Sequence, residues 1–339
     1  AKGEYKNIFG GRKDVYVFGT NSNFTELLRI NPFRFPTEVH VLEHIDRIIE
    51  IFNACWPMYA AMPAVLKEAI ERTYISIGWD IEESFYFGDE IRYPTFYDLL
   101  TILPIIIKES AYSEEVKSNY IGALVTRVKS MTNGLFGKIF TDDEIENEIL
   151  FDKNCIIDLS RVGSIETKSL IMGILFTRLQ EYRMSNDNLI NNDLKHVTVL
   201  EEAHHLLRRV SSEQSQEGAN LQGKSVEMIA NAIAEMRTYG EGFIIADQAP
   251  NLLDRSVIRN TNTKIILRLP DELDRSEVGK TANLNEYQIN ELPKLRTGVA
   301  AVYQNNWLQP VLCEVNEFKN YQSYSKEKKT RTMMQPSNS

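Results

Sequence analysis

The segment HVTVLEEAHH, residues 196–205, is an apolar run that ends in two adjacent carboxylates. A carboxylate at the tip of a buried strand can hold the Mg2+ that bridges the β- and γ-phosphates of a nucleotide. Its neighbour can polarise the attacking water. This is the form of a Walker B motif, with Glu201 on the metal side, through water, and Glu202 on the water. Aspartate is usual on the metal side, so Glu201 carries its carboxylate one methylene further. The plainer reading is that the pair closes a strand and starts a helix. His204 and His205 do not complete H-E-x-x-H, the spacing that would make them zinc ligands.

Further residues have the right chemistry for such a site. Gln248 follows the run GFIIAD (242–247) and precedes Pro250. A neutral amide there can sense a γ-phosphate or position the water, or it can belong to a simple turn. Arg237, in EMRTYG, falls four residues after Ile233 on the apolar stripe of a helix and needs a partner. That partner is Glu235 or another carboxylate, or the phosphate of a neighbouring subunit. Arg268, in ILRLP, lies near the end of another strand and reads equally as a sensor or as half of a salt bridge.

The letters GANLQGKS (218–225) match the phosphate-loop pattern G-x-x-x-x-G-K-[ST]. A working loop of that kind hangs between a buried strand and a helix. A helix is expected after Ser225, because Val226, Ile229, Ala230 and Ile233 form one stripe. The preceding RRVSSEQSQE is polar and has no strand character. The segment is therefore expected to be a turn at Gly223, with Ser225 capping the helix and Glu227 near its positive end.

Short apolar, β-branched runs must position these residues: DVYVFG (14–19), CIIDLS (155–160), HVTVL (196–200), GFIIAD (242–247), TKIILRL (263–269) and GVAAVYQ (298–304). Helix-length segments separate several of them, as at Ser164–Met184 and Ser225–Tyr239. That alternation predicts an α/β fold with buried parallel strands covered by helices on both faces. Residues 37–150 read differently. Ile45, Ile48, Ile49 and Phe52, then Leu66, Ala69, Ile70 and Thr73, repeat the helical spacing. This stretch is expected to be a helical insertion, and the polar, lysine-rich residues 321–339 a disordered tail.

At 339 residues, with 43% apolar and 25% charged residues, the composition is that of a globular protein. A net charge of −9 excludes a surface that is basic all over, though not a local basic channel. Three widely spaced cysteines fit a reducing interior, hence a cytoplasmic setting. No run approaches the roughly 18 apolar residues of a membrane span.

In order along the chain, VTVLEEAHHLL, AEMRTYGEGFIIADQAP, SVIRNTNTKIILRLP and GVAAVYQNNW resemble the C-terminal part of HerA/FtsK-type hexameric P-loop ATPases. AKGEYKNIF is similar to that family's G-E-Y segment, and INPFRFP to the strand that follows. The likeness is strongest to HerA-like ATPases of prokaryotic DNA processing and anti-phage defence. It implies a RecA-like core in residues 1–36 and 151–320, with the helical insertion between them. It also implies ATP and Mg2+ as cofactors, Glu202 as catalytic base, Glu201 on the metal side and Gln248 as sensor. Arg237 would be an arginine finger for the adjacent subunit, and Glu4 would lie near the nucleotide. The partners implied are further copies in a hexameric ring, double-stranded DNA, and a nuclease or sirtuin-like effector. The family's Walker A and N-terminal barrel are expected upstream of Ala1, so this chain alone is expected to bind ATP poorly. Two other readings are a conjugation or secretion ATPase and a non-hydrolysing scaffold for an effector.

Overall fold

A computed structural model describes residues 3–186, 193–210 and 216–319, with side chains in the last stretch from residue 221. The expected tail at 321–339 lies outside the described residues. The chain divides into two compact units, residues 1–188 with 321–339, and residues 189–320.

The first unit opens with α1 (Glu4–Phe9) and the strand β1 (Val15–Gly19), followed by the two-residue β2 (Glu26–Leu27). β1 lies between β2 and β5 (Asn154–Asp158), parallel to both, with Val15 opposite Asn154 and Gly19 opposite Asp158. The chain between these neighbours is mostly helical. It runs through α2 (Val41–Cys55), α3 (Met62–Ser76), a hairpin of β3 (Trp79–Asp80) and β4 (Phe85–Tyr86), and α4 (Phe96–Glu109). It continues through α5 (Glu114–Tyr120), a π turn at 121–125, α6 (Thr126–Thr132), α7 (Phe136–Ile139) and α8 (Asn147–Phe151).

The spaced apolar residues explain these helices. Ile45, Ile48, Ile49 and Phe52 of α2 are buried, as are Leu66, Ala69, Ile70 and Thr73 of α3. Thr95 and Asp98 form a reciprocal cap at the start of α4. The long α9 (Ile165–Asn186) packs on α2 through a buried polar cluster. His44 Nδ1 lies 3.0 Å from the Glu181 carboxylate, His44 Nε2 donates to the Pro32 carbonyl at 3.1 Å, and Arg47 reaches Glu181 at 3.2 Å. These donors compensate a carboxylate with no solvent exposure.

The INPFRFP segment is not a strand. Only Ile30 makes a bridge, to Phe140, and the rest is an irregular buried connector. Its two prolines have no N–H for a ladder. Its carbonyls go elsewhere: Phe33 O accepts from Tyr74 and Phe35 O from Tyr93.

The second unit contains β6 (His196–Glu201) and β7 (Glu241–Ala246), paired in parallel and joined by the helix α10 (Gln216–Glu235). α11 (Arg255–Asn260) leads to β8 (Thr263–Ile266). α12 (Glu272–Thr281) and α13 (Glu286–Glu291) precede β9 (Val299–Gln304) and β10 (Val311–Glu314). The β1–β2, β1–β5 and β6–β7 pairs are parallel, whereas β8, β9 and β10 pair antiparallel in the order β10–β9–β8. Ile266, Ala282, Leu292 and Ala301 form the small core beneath them. On β6 and β7, Val199 is 46% and Ile244 55% exposed.

No described helix is long and apolar enough to cross a membrane. The three cysteines are free thiols, and burial pushes the Cys55 thiol well up.

Candidate functional site

β6 and β7 run side by side with Glu201 opposite Ala246, so both strands end at the same edge. Glu202 is the next residue, and its backbone adopts φ 53°, ψ 48°. This left-handed conformation costs a residue with a side chain about 1–2 kcal/mol. The Glu202 N–H donates to Ala246 O at 2.9 Å, extending the ladder one bond past the strand. The turn then enters a single 3-10 turn, Ala203–His205, held down by the buried Ala203, Leu206 and Leu207. Strained backbone of this kind persists where surrounding structure over-determines it, commonly at functional sites. His205 Nε2 lies 3.1 Å from Glu202 Oε2, and this contact holds the carboxylate at the strand tip.

Asp247, the first residue past β7, ties the two tips together. Its carboxylate accepts from the His204 backbone N–H at 2.9 Å, from His204 Nδ1 at 2.9 and 3.0 Å, and from the Ala249 N–H at 2.9 Å. Beyond the tips, Arg209 N–H donates to Leu252 O and Asp254 N–H to Leu207 O, which closes the two loops on each other. Asp274 stands nearby and accepts from the Asn251 N–H at 2.9 Å. Burial pushes its carboxyl above the usual range, with the charges of Asp271 and Asp247 adding to the effect.

The strand pairing thus brings Glu201, Glu202 and Gln248 to one edge, with Gln248 exposed. Arg237 is not among them. It precedes β7, and the six-residue strands put about 17 Å between the two ends. Nor does it continue the stripe of α10. The last turn tightens to 3-10, so Met236 takes the buried position and Arg237 is exposed. Arg237 lines an open cavity of about 770 Å3 with Thr238, Gly240 and Glu241. The Glu241 carboxylate is fully buried and accepts from Thr198 at 2.7 Å, with His196 Nδ1 also at 2.7 Å. Arg268 is exposed, two residues beyond β8, and enters no ion pair among the described residues. Glu4 is the exposed first residue of α1, in the first unit.

Sequence reasoning missed Asp247 and His205. The spacing of Glu202 and His205, three residues apart on one helical turn, was a usable signal for the second. Asp247 needed the β6–β7 register.

GANLQGKS lies wholly inside α10, so its backbone amides sit in a helical segment and do not line a loop. The expected turn and cap are also absent. Ser225 is buried in the helix interior and donates to Leu221 O at 3.1 Å, and Lys224 is exposed.

The donors at the strand tips are carboxylates. Among the described residues no group of three or more His, Cys, Asp or Glu could enclose a metal. A hard, hydrated cation such as Mg2+ fits this set, because it binds through one or two carboxylates, its own waters and substrate phosphates.

Comparison with known proteins gives first a class. The chain superposes on VirB4 of Thermoanaerobacter pseudethanolicus with a TM-score of 0.60 at 16% identity, covering 90% of this chain and 82% of that one. It superposes on the plasmid coupling protein TrwB in complex with the non-hydrolysable GTP analogue GDPNP with a TM-score of 0.59 at 9% identity, covering 95% and 78%. The fold is RecA-like α/β. In sequence, the chain is 29% identical over 182 residues to the DNA double-strand break repair helicase HerA of Sulfolobus acidocaldarius. That match spans 52% of this chain and 34% of the relative's length. No family model matches the chain. In sequence and in fold the chain is thus similar to ATPases of the HerA/FtsK type.

Proposed function

We propose that this chain is the motor part of an ATP-driven DNA translocase or helicase of the HerA kind. It works in the cytoplasm as a hexameric ring on double-stranded DNA, with a nuclease or sirtuin-like effector. The observation that carries the reading is the tip of β6, where Glu202 is held in a left-handed turn, contacted by His205 and braced by Asp247. A carboxylate fixed at a strand end, beside an exposed amide on the neighbouring strand, suits the activation of one water against a phosphoryl group. In this reading the cores 1–36 and 151–320 carry a helical insertion at 37–150, followed by a tail at 321–339.

Glu202 takes the proton of the attacking water, and Gln248 orients that water. Glu201 would hold Mg2+ through water, and the ion would neutralise charge on the β- and γ-phosphates. Glu4 and Arg268 lie near the nucleotide. Arg237 stands exposed at the opposite end of β7 from Glu202, which supports its service to the nucleotide of an adjacent subunit. In this reading nucleotide binding by this chain alone is weak, because GANLQGKS lies within α10 and forms no phosphate loop.

The test is titration of Mg-ATP against the chain, with hydrolysis followed in the presence of duplex DNA. At Mg-ATP high enough to fill the weak site, Glu202→Gln is expected to lose the residual hydrolysis while nucleotide binding stays unchanged, and Lys224→Ala to match the unaltered chain in both. Hydrolysis by Glu202→Gln at the unaltered rate would sink the assignment of the base. Tight binding that disappears in Lys224→Ala would show that α10 rearranges into a phosphate loop.

A further inference from the structure

β1 and β5 are adjacent parallel strands, with Gly19 opposite Asp158, so the turns that follow them emerge side by side. In an α/β sheet this carboxyl edge is where ligands bind. Both turns are tightly built. After β1, Asn21 Oδ1 accepts from the Asn23 N–H, and Asn21 O accepts from the N–H groups of Phe24 and Thr25. After β5, Asp158 Oδ1 accepts from the Ser160 N–H at 2.9 Å, and the buried Val162 closes the turn through its N–H to Leu159 O.

These anchors place Arg161 flat over Phe24, with its guanidinium carbon 3.5 Å from the ring centroid. Arg161 is exposed and has no ion pair among the described residues. The same residue opens on a cavity of about 430 Å3, shared with Thr20, Ser130, Asn133 and Gly134. The far wall is the loop between α6 and α7, where Gly134 has φ +57° and nothing stands within 4 Å of where a side chain would begin. The loop is tight, because a side chain at Gly137 would strike the Thr132 carbonyl. Beside the apolar Leu135, Phe136 and Val162, the lining carries two hydroxyls, an amide and one cation, with no carboxylate.

We propose that the turns after β1 and β5, with the loop between α6 and α7, form a binding site for a phosphate group, with Arg161 as its cation. A guanidinium held by one face on an aromatic ring keeps its N–H edge free for the bidentate grip that phosphate oxygens accept. Asn133 and Thr20 supply neutral polar groups around it, while the Ser130 hydroxyl donates to Arg127 O at 2.6 Å. The open cavity leaves room for what carries the phosphate, either a nucleic-acid backbone or a free nucleotide. This site lies within the first unit and does not depend on the hydrolytic roles of Glu201 and Glu202.

The experiment follows the arginine Nε–H resonances of the full chain by NMR, with Arg161 assigned by the signal lost in Arg161→Lys. Titration with inorganic phosphate is expected to shift the Arg161 signal. A short duplex oligonucleotide and ADP are then titrated separately, and the carrier that shifts it at lower concentration is the source of the phosphate. Arg161→Ala is expected to weaken that carrier's binding about tenfold. For DNA it should also lower the salt dependence by about one unit of slope. Phe24→Leu, which removes the platform but keeps the cation, is expected to give a smaller loss. An Arg161 signal unmoved by all three probes overturns the proposal. So does unchanged affinity of Arg161→Ala for both DNA and ADP.

Discussion

Asp247 and His204 fasten the ends of two neighbouring strands: the carboxylate meets both the ring Nδ1 of His204, at 2.9 Å, and that residue's backbone N–H, at 2.9 Å. With the Ala249 N–H as a further donor, the carboxylate is the junction between the Glu202 turn and the Gln248 turn. Asp247→Asn keeps the shape but replaces one acceptor oxygen by an amide donor. The expected loss of stability is about 1–3 kcal/mol, read by urea unfolding. Hydrolysis should fall further than folding does, because Glu202 and Gln248 lose their common brace. An unfolding midpoint equal to that of the unaltered chain would show that the junction is dispensable.

The left-handed backbone of Glu202 sets up a comparison of two substitutions that both remove the carboxylate. Glycine adopts φ 53° without steric cost, whereas alanine does not. Glu202→Gly should therefore be more stable than Glu202→Ala by about 1 kcal/mol, even after the greater freedom of glycine in the unfolded chain. Both should lack hydrolysis. Melting temperatures of the pair decide it, and equal values would mean that the turn relaxes when the side chain is lost.

Separation of Glu202 and Arg237 to opposite ends of β7 makes a prediction for mixed assemblies. Glu202→Gln and Arg237→Ala are each expected to abolish hydrolysis alone. Mixed together, some interfaces pair an intact Glu202 with an intact Arg237 from the next subunit, and part of the activity should return. A mixture as inactive as either parent would place Arg237 outside the neighbour's site.

Asp158, buried at the end of β5, gives the first unit a pH-dependent contribution. Burial works against its charge, but hydrogen bonds from Lys6 and from Ser160 outweigh it, and its carboxyl titrates below the usual range. The folded value thus lies under the unfolded one, about 3.9. The stabilisation is complete above that unfolded value and is lost as pH falls through the folded one. Lys6→Ala should weaken this acid dependence, seen as a shallower decline of the unfolding midpoint below about pH 4. The same slope in both proteins would mean that Lys6 does not hold the charge.

Much of this architecture was readable from apolar periodicity. The six strand runs fall within or across strands of the structure, and the stripes of α2, α3 and α10 are buried. Strand direction was not readable, because an apolar run such as TKIIL has the same letters whether its neighbour runs parallel or antiparallel. INPFRFP was expected as a strand from its likeness to the family's segment, but prolines and tyrosine hydroxyls took its backbone out of any ladder. Arg237 was misplaced on a stripe because one tightened helical turn shifts every later residue by a fraction of a turn. Glu202 was accessible through its motif. Asp247, its brace, becomes visible only once β6 and β7 are in register.

The pairing of β1 with β5 also bears on how the chain reaches its native state. Residues 20–153 separate two strands that lie directly side by side. Contacts this distant in sequence are slow to form, since closing the intervening loop costs entropy before any pairing energy returns. Helices α2 to α8 change that cost, because local contacts let them condense first and shorten the effective tether. The sheet of the first unit should therefore assemble late, on a helical nucleus. Pulse-labelling hydrogen exchange would then find the amides of α2 and α3 protected before those of β5.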